Sequence, residues 1–305
     1  MWAIRYDRYG PPDVMRLVEQ PDPTPGEGEI LVRLQTSGVA PFDAKLRAGL
    51  LQQHFSLSFP KTPGRDGAGH VMALGTGVTD LAVGDRVCVL APRESGTAAT
   101  LIACPRATVV PAPCGLTPEE AAALMQPGLS AWIAVDTAEI SAGMRVLVHG
   151  GAGAVGGLMV QLLRHRGAIV SATCRATNRD YVMALGAQRA IAYDTEDFTQ
   201  IDQQDVVFDL IGGEVHARSY DVLRSEGQIV YLVAAPFAQR SERGIMVRRA
   251  MVADRPDAIA AVAQLAREGV WRPGVAAILP LAEIAEAHRR IEAGEVTRGR
   301  LVLTI

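Results

Sequence analysis

The sequence predicts an α/β fold in which a small β-barrel domain is interrupted by a doubly wound parallel sheet. In residues 1–113, short alternating strands are separated by turns rich in glycine and proline, a pattern typical of small barrels. From Leu116 onward, buried apolar strands alternate with helices, which indicates a parallel sheet. Two domains suit 305 residues, and the apolar strand at 301–305 can return to the barrel. We place the barrel at residues 1–113 and 272–305 and the sheet domain at 114–271.

The individual elements follow from the spacing of apolar residues. Alternation predicts strands in the first domain at residues 2–6, 14–18, 30–34, 70–73 and 86–90. A helix should begin at Pro118, because Thr117 can cap it and two glutamates occupy its first turn. In the second domain, strands are predicted at residues 146–148, 169–173, 190–193, 206–210 and 228–233, with helices between them and another near 259–266. The tail adds a strand at 275–279 and a helix at 281–291 before the terminal strand.

One stretch has the most specific chemistry: Gly151-Ala152-Gly153-Ala154-Val155-Gly156, which fits G-x-G-x-x-G. It follows an apolar strand and opens an apolar-periodic helix, which is the context that a dinucleotide-binding fingerprint requires. The first glycine is expected to make the tight turn, the second to admit a pyrophosphate, and the third to pack the helix on the strand. The helix start then offers N–H groups to the phosphates.

Composition excludes several classes of function. The net charge of −3 implies no affinity for nucleic acid, and no apolar run is long enough to span a bilayer. The first six residues alternate like a strand and lack the apolar core of a signal peptide. Four cysteines without a C-x-x-C pair point to a reducing cytoplasm, without disulfides or structural zinc. The six histidines are scattered singly, which favours structural or surface roles.

Several further motifs follow one another along nearly the whole chain. They lie at residues 25–27, 37–43 with Arg47 and Gly49, 63–69, 84–87, 120–123, 128–132, 151–156 and 209–213. In this order they resemble the medium-chain dehydrogenase/reductase superfamily, specifically its zinc-free quinone oxidoreductase branch, which is similar to zeta-crystallin. The resemblance implies a GroES-like barrel domain, a Rossmann domain and hydride transfer from a nicotinamide. It also implies a homodimer joined through the edges of the nucleotide-domain sheets, with residues 244–253 as a candidate edge.

The resemblance also bears on metal binding. Zinc-dependent relatives carry a cysteine ligand in the loop at residues 37–43 and a histidine in the motif at 63–69. Here the loop has no cysteine, and Arg65 stands where the histidine would be. Arginine stays cationic and does not bind Zn²⁺. We therefore expect no metal. Without zinc, the protein lacks the Lewis acid that makes alcohol oxidation easy, and this favours the reduction of quinones, enones or enals.

The end of the second Rossmann strand favours NADPH. NAD-specific domains place an acid there to hold the ribose hydroxyls, whereas this strand ends at Cys174-Arg175, followed by Asn178 and Arg179. A cation at Arg175 or Arg179 would pair with a 2′-phosphate, although for either one alone a solvated loop charge is an equal interpretation. Tyr193 matches a tyrosine that the family uses near that phosphate, with ordinary strand packing as the alternative.

The nicotinamide is expected in the cleft between the domains, at the carboxyl ends of the strands. The resemblance places Gly128-Leu129-Ser130 and the turn Val233-Ala234-Ala235 beside it, although Ser130 is equally suited to a helix-capping role. Leu210 and Arg300 complete the predicted cofactor-binding residues.

Candidate catalytic residues lie in the loop after the third strand. Asp43 matches a family acid, whereas the family's asparagine is Ala40 and a tyrosine of several relatives is replaced by Lys45. Lys45 can donate a proton to a developing oxyanion or be a surface lysine, the blander interpretation. Arg47 either lines the cleft or pairs with Asp43, and pairing is favoured.

The sequence therefore predicts a zinc-independent, NADPH-dependent quinone oxidoreductase or enone reductase acting on a small conjugated carbonyl or quinone. The proton would come from water or a cleft residue. Two alternatives stay open. One is an enoyl-thioester reductase or a secondary alcohol dehydrogenase. The other is an NADPH-binding sensor or crystallin-like protein with little turnover, which the loss of the family's polar residues at Ala40 and Lys45 favours.

Overall fold

The structure is a computed structural model that describes residues 1–233 and 242–305. These residues form two compact units, of which the first contains residues 1–126, 272–296 and 300–305. The second unit contains residues 127–271 and 297–299, apart from those outside the described ranges. The predicted boundaries at residues 113 and 272 stay a prediction. Within the described residues, no helix is both long and apolar enough to cross a membrane.

The chain begins with seven strands and two helices in the first unit. They are β1 (Trp2–Arg5), β2 (Arg16–Glu19), β3 (Glu29–Val39), α1 (Pro41–Arg47), β4 (Asp66–Leu74), β5 (Arg86–Leu90), β6 (Leu101–Pro105), β7 (Val109–Pro111) and α2 (Pro118–Ala122). The next elements are α3 (Met125–Ala138), β8 (Arg145–Val148), α4 (Ala154–His165), β9 (Ile169–Cys174), α5 (Arg179–Ala184), β10 (Arg189–Ala192), β11 (Gln204–Asp209), α6 (Gly213–Ser219), β12 (Leu223–Tyr231), β13 (Met246–Arg249) and α7 (Pro256–Arg267). The chain ends with β14 (Val275–Pro280), α8 (Ile284–Glu292) and β15 (Arg300–Thr304).

The first unit is built on a seven-stranded sheet around the long strand β3. Its order is β14-β15-β3-β4-β5-β7, and β6 also pairs with β3. Ile30, Val32 and Leu34 point to one side of β3 and are buried in one apolar cluster, as their alternation predicts. The terminal strand β15 pairs antiparallel with β3, with Leu301 opposite Val39, so the predicted return of the chain is confirmed.

One element of the first unit departs from the sequence prediction. Residues 1–113 were expected to form strands and turns alone, whereas residues 41–47 form the helix α1. Pro41 stands at its first turn, and the carboxylate of Asp43 accepts a hydrogen bond from the Ala40 amide at 3.0 Å. These are helix-start signals, but at seven residues the helix is too short to show an apolar period.

The second unit contains a six-stranded sheet in the order β10-β9-β8-β11-β12-β13 with all pairs parallel. The doubly wound topology predicted from sequence is therefore confirmed. The strand order reverses beside β8, because β9 and β10 follow on one side of it and β11 to β13 on the other. Ligands of such sheets bind outside the carboxyl ends of the strands at this reversal.

Candidate cofactor and acceptor sites

The glycine turn after β8 has the shape that a dinucleotide requires. The residue with positive φ, +77°, is Gly150, which precedes the fingerprint, and Gly151 also lies within the turn. Gly151 is needed for another reason, because a Cβ there would lie 2.6 Å from the Cβ of Ala172 on β9. A Cβ on Gly156 would clash with the Gly150 carbonyl oxygen, which confirms the expected close packing of α4.

The surroundings of Gly153 fit a pyrophosphate. A Cβ on this residue would meet only the Gly150 carbonyl oxygen, at 3.4 Å, so the space in front of the turn is open. Gly153 is also the N-cap of α4 and provides no side chain to satisfy the first N–H groups of this 12-residue helix. Ala154 and Val155 form the first turn, where free N–H groups and the helix dipole attract anions. The backbone of Ala152 is fixed by a hydrogen bond, because its carbonyl accepts the Gly299 amide at 2.8 Å.

At the ends of β9 and β10, an arginine and a tyrosine are in contact. The Arg175 Nε donates to the Tyr193 hydroxyl at 3.2 Å, and both side chains are exposed. The exposure of Tyr193 speaks against ordinary strand packing for this ring. Cys174, by contrast, is buried, and burial raises the pKa of its thiol. A phosphate at this edge would therefore meet the guanidinium of Arg175 and the hydroxyl of Tyr193.

The two other residues predicted here already have partners in the protein. Arg179 forms an ion pair with Glu196, an acid that follows β10 and that sequence reasoning missed. Asn178 is buried and donates its side-chain amide to the Thr297 carbonyl at 3.0 Å. A second missed acid, Asp194, accepts the Ala176 amide at 2.9 Å. Of the two predicted cations, Arg175 is the one that contacts Tyr193, and Arg179 is the one paired with Glu196.

The turn after β11 lies beside the glycine turn and is organised by Asp209. The carboxylate of Asp209 accepts the amides of Ile211 and Gly212 at 2.9 and 2.8 Å and contacts His216 Nδ1 at 2.8 Å. Burial alone would raise the pKa of Asp209, but these hydrogen bonds hold it below its ordinary value. The Cβ of Leu210 lies 3.9 Å from where a Cβ on Gly150 would be. Leu210 therefore lies at the glycine turn.

The remaining predicted residues of the second unit lie on two other elements. Ser130 is buried on α3, and Val233 is half-buried just after β12. The predicted neighbours of Val233, Ala234 and Ala235, lie outside the described residues.

The first unit encloses a cavity of about 220 Å³. One part of its wall is apolar, and Phe42 packs edge-to-face on Phe55 with ring centroids 5.2 Å apart. The other part is charged, with Asp43, Lys61 and Arg65 all buried. Lys61 Nζ donates to the carbonyls of Arg93 and Ser95, and nothing in the sequence around Lys61 indicates this role. Arg65 Nε contacts the side-chain oxygen of Gln126 at 3.3 Å.

The three candidate catalytic residues on the helix α1 lie in different surroundings. Asp43 lines the cavity, and burial raises the pKa of its carboxyl against the opposing effects of Arg300 and the Ala40 amide. Lys45 is exposed and does not line the cavity. Arg47 is buried but forms an ion pair with Glu292 and donates to the Gly10 carbonyl. The predicted pairing of Arg47 with Asp43 is therefore wrong.

Arg300, predicted to contact the cofactor, forms a buried ion pair with Asp66 inside the first unit. Asp66 also accepts the Gln126 amide at 3.2 Å. Burial raises the pKa of Asp66 to about 6, although Arg300 acts in the opposite direction. The guanidinium of Arg300 is thus occupied in joining β15 to β4, a role that the sequence did not reveal.

Metal-ligand chemistry is sparse in the part of the chain that the structure describes. No three His, Cys, Asp or Glu side chains there come together as a group that can hold a metal ion. The loop motif with Arg65 contributes a permanent cation to the cavity wall instead.

Comparison with known proteins gives matches in both units. Residues 26–114 match the family described as alcohol dehydrogenase GroES-like domain, and residues 185–303 match the one described as zinc-binding dehydrogenase. The chain is 30% identical over 308 residues to 2-haloacrylate reductase from Burkholderia sp, covering 92% of each protein. It is 33% identical over 248 residues to the human synaptic vesicle membrane protein VAT-1 homolog. That alignment covers 78% of this chain but only 62% of the relative, less than two thirds of its length.

A solved structure agrees over the full length. The Escherichia coli quinone oxidoreductase, crystallised in complex with NADPH, superposes with a TM-score of 0.89 at 25% identity, covering 100% of both chains.

Proposed function

The chain belongs to the quinone oxidoreductase branch of the medium-chain dehydrogenase/reductase superfamily, and we propose that it reduces a quinone or a conjugated carbonyl with NADPH, without zinc. Members of this superfamily bind a nicotinamide cofactor. The observation that supports the proposal best is the open glycine turn at the N-terminus of α4, with Arg175 and Tyr193 at the neighbouring strand ends. Two similar proteins, a 2-haloacrylate reductase and a quinone oxidoreductase solved with NADPH, carry names that agree with it.

In this proposal, the second unit binds the cofactor through three sets of groups. The amides at the start of α4, next to Gly153, hold the pyrophosphate, and Arg175 with Tyr193 holds the 2′-phosphate. The turn that Asp209 organises supports the nucleotide beside the glycine turn. Bound NADPH supplies the hydride. Ser130 and Val233 stay predictions as cofactor contacts.

The cavity of the first unit supplies the acceptor site of the proposal. Its aromatic wall suits a planar conjugated acceptor, and its buried cations, Lys61 and Arg65, suit the negative charge that develops on the acceptor oxygen. Arg65 takes the electrophilic role that zinc has in metal-dependent relatives, because its buried guanidinium fixes a positive charge in the cavity wall. Asp43 contributes by holding the start of α1, and the exposure of Lys45 favours its interpretation as a surface lysine. Water or a cavity residue supplies the proton.

The test follows the loss of reduced-nicotinamide absorbance with a simple quinone. NADPH and NADH are compared in parallel, with and without a chelator. Turnover with NADPH that survives the chelator and is weak with NADH is the expected result. Turnover that the chelator abolishes would contradict the zinc-free mechanism. Binding of NADPH without turnover across many quinones, enones and thioesters would favour a sensor over an enzyme.

We also propose a homodimer formed through β13, the edge strand of the parallel sheet. This strand lies within the predicted edge at residues 244–253, and Met246 on it is exposed. Light scattering of Val247→Pro, which removes a backbone donor from the edge, should show a monomer where the native protein is a dimer. A cytoplasmic location stays a prediction from the cysteine pattern, and all four cysteines are free thiols in the structure.

A further inference from the structure

A buried chain of hydrogen bonds connects the glycine turn to the helix α6. The Gly150 amide donates to Thr173 Oγ1 at 3.1 Å, and this oxygen lies 3.2 Å from His149 Nδ1. On the other side of the ring, His149 Nε2 lies 3.0 Å from Ser219 Oγ, which donates to the Val215 carbonyl at 2.7 Å. The side chains of Thr173, His149 and Ser219 are all buried.

The position of each proton in this series of hydrogen bonds can be assigned from one end to the other. Ser219 uses its single hydroxyl proton on the Val215 carbonyl, so it must accept from His149 Nε2. The imidazole then carries its proton on Nε2, and its Nδ1 accepts the hydroxyl proton of Thr173. Thr173 Oγ1 in turn accepts the Gly150 amide. Every donor in the series has an acceptor only when His149 is neutral, and burial lowers the pKa of this histidine to about 4.

The helix α6 also supports the second loop of the cofactor site. His216, on the same helix, bonds to Asp209, which holds the amides of Ile211 and Gly212. The two turns at the reversal of the strand order are therefore tied to one short helix, the glycine turn through His149 and the other through Asp209.

We propose that His149 is a positioning residue for the cofactor, which acts through Thr173 on the Gly150 amide. The positive φ of Gly150 sets the direction in which the chain enters α4, and with it the aim of the N–H groups that meet the pyrophosphate. Fixing the Gly150 amide in one direction preorganises this turn before the cofactor arrives. The inference rests on the proposed function, since it needs a nicotinamide dinucleotide as the ligand.

The experiment measures the dissociation constants of NADPH and NADH by titration calorimetry without any acceptor. Thr173→Val removes the hydroxyl with little change of shape and leaves the Gly150 amide unsatisfied, so both cofactors should bind about tenfold more weakly. The two losses should be equal, because the pyrophosphate is common to both. Thr173→Ser, which keeps the hydroxyl, should restore binding. Thr137→Val is the matched control, since the Thr137 hydroxyl bonds within α3, to the Ile133 carbonyl, and its loss should not change either constant.

A double-mutant cycle separates positioning from a general loss of structure. Ser219→Ala should also weaken binding, but added to Thr173→Val it should have no further effect, because both break the same chain. Additive losses, or native affinity in Thr173→Val with a lowered Tm, would overturn the proposal. If the native protein bound neither cofactor, the proposed function itself would fail. If the native protein bound the cofactors and Thr173→Val bound them equally well, only the positioning role of His149 would fail.

Discussion

At the scale of single residues, the choice between NADPH and NADH depends on the two arginines that follow β9, of which Arg175 contacts the exposed Tyr193. Arg175 contacts a neutral tyrosine hydroxyl, whereas Arg179 is paired with the carboxylate of Glu196. We expect Arg175→Ala to raise the KM for NADPH about 10- to 100-fold, the loss of one charge-assisted contact, and to leave the KM for NADH unchanged.

Arg179→Ala is the matched control for this prediction. Because Glu196 already opposes its charge, its removal should change the NADPH preference much less than Arg175→Ala. Equal losses in the two variants, or an equal loss of NADH affinity in Arg175→Ala, would contradict the assignment of the 2′-phosphate to Arg175.

Arg65 provides a second prediction at this scale. Arg65→Met removes a buried cation from the cavity wall while keeping an unbranched side chain, so kcat should fall about 100-fold, as for loss of an oxyanion-stabilising group. The dissociation constant of NADPH should not change, because its proposed contacts lie in the other unit. Arg65→Lys, which keeps the charge, should recover part of kcat. A fall in cofactor affinity alone would contradict this role.

The residue pairs show which parts of a site a sequence can reveal. The glycine turn was predictable because its form depends on residues close together in the chain. The partners of the charged residues were not, because Arg47 and Glu292 are 245 positions apart and Arg300 and Asp66 are 234 apart. Nothing local distinguishes an arginine that meets a buried acid from one that faces solvent, so Arg47 and Arg300 were given the wrong surroundings.

At the scale of elements, the strand, turn and helix around the fingerprint assign different tasks to two of its glycines. Gly156→Ala should lower the Tm, because the new Cβ would clash with the Gly150 carbonyl oxygen in the apo protein. Gly153→Ala should leave the apo Tm nearly unchanged, because its Cβ would only touch that oxygen at 3.4 Å. The same methyl group points into the proposed pyrophosphate space, so NADPH should bind at least about tenfold more weakly.

Thermal unfolding with and without NADPH distinguishes the two variants. Native protein and Gly156→Ala should both gain Tm from the cofactor if they bind it, and Gly153→Ala should gain little. A large fall in the apo Tm of Gly153→Ala would mean that the space before the turn is needed by the protein itself.

The elements that sequence patterns identified well are those with a long or strictly repeated pattern. The strand β3 and the helix α4 have 11 and 12 residues, which is long enough for the alternation at Ile30, Val32 and Leu34 and for a 3.6-residue period to be recognised. Helix α1 has seven residues and α6 also has seven, so neither repeats often enough to be separated from its neighbours. The sequence pattern at residues 215–223 predicts one helix, whereas α6 ends at Ser219 and β12 begins at Leu223.

At the scale of the whole molecule, buried titratable groups make the stability depend on pH. His288 is buried on α8, and neither ring nitrogen has a hydrogen-bond partner among the described residues. Burial, with a smaller effect of the nearby Arg47, lowers the pKa of His288 to about 3, and burial lowers that of His149 to about 4. In the unfolded chain both pKa values return to about 6.5.

The direction of the effect follows from proton binding. Below about pH 6.5 the unfolded chain binds protons that the folded protein excludes, so acid destabilises the fold by up to about 1.4 kcal/mol per pH unit for each histidine. Asp66 has the opposite effect, because its folded pKa, about 6, lies above its ordinary value and the folded protein binds that proton more tightly. Over most of this range, the native protein should therefore lose less stability than the two histidines alone would cause.

Replacing His288 isolates its share of this dependence. Between about pH 6 and 4, acid should lower the free energy of unfolding less steeply in His288→Leu than in the native protein. The difference in slope should be about 1.4 kcal/mol per pH unit. Near neutral pH the variant should be at least as stable, because an apolar side chain replaces two buried nitrogens without partners. Denaturant unfolding across this pH range gives the slope, with the exposed His165→Gln as control. Equal slopes in the native protein and His288→Leu would mean that His288 finds a partner or water on protonation, and that the acid sensitivity of the fold comes from other groups.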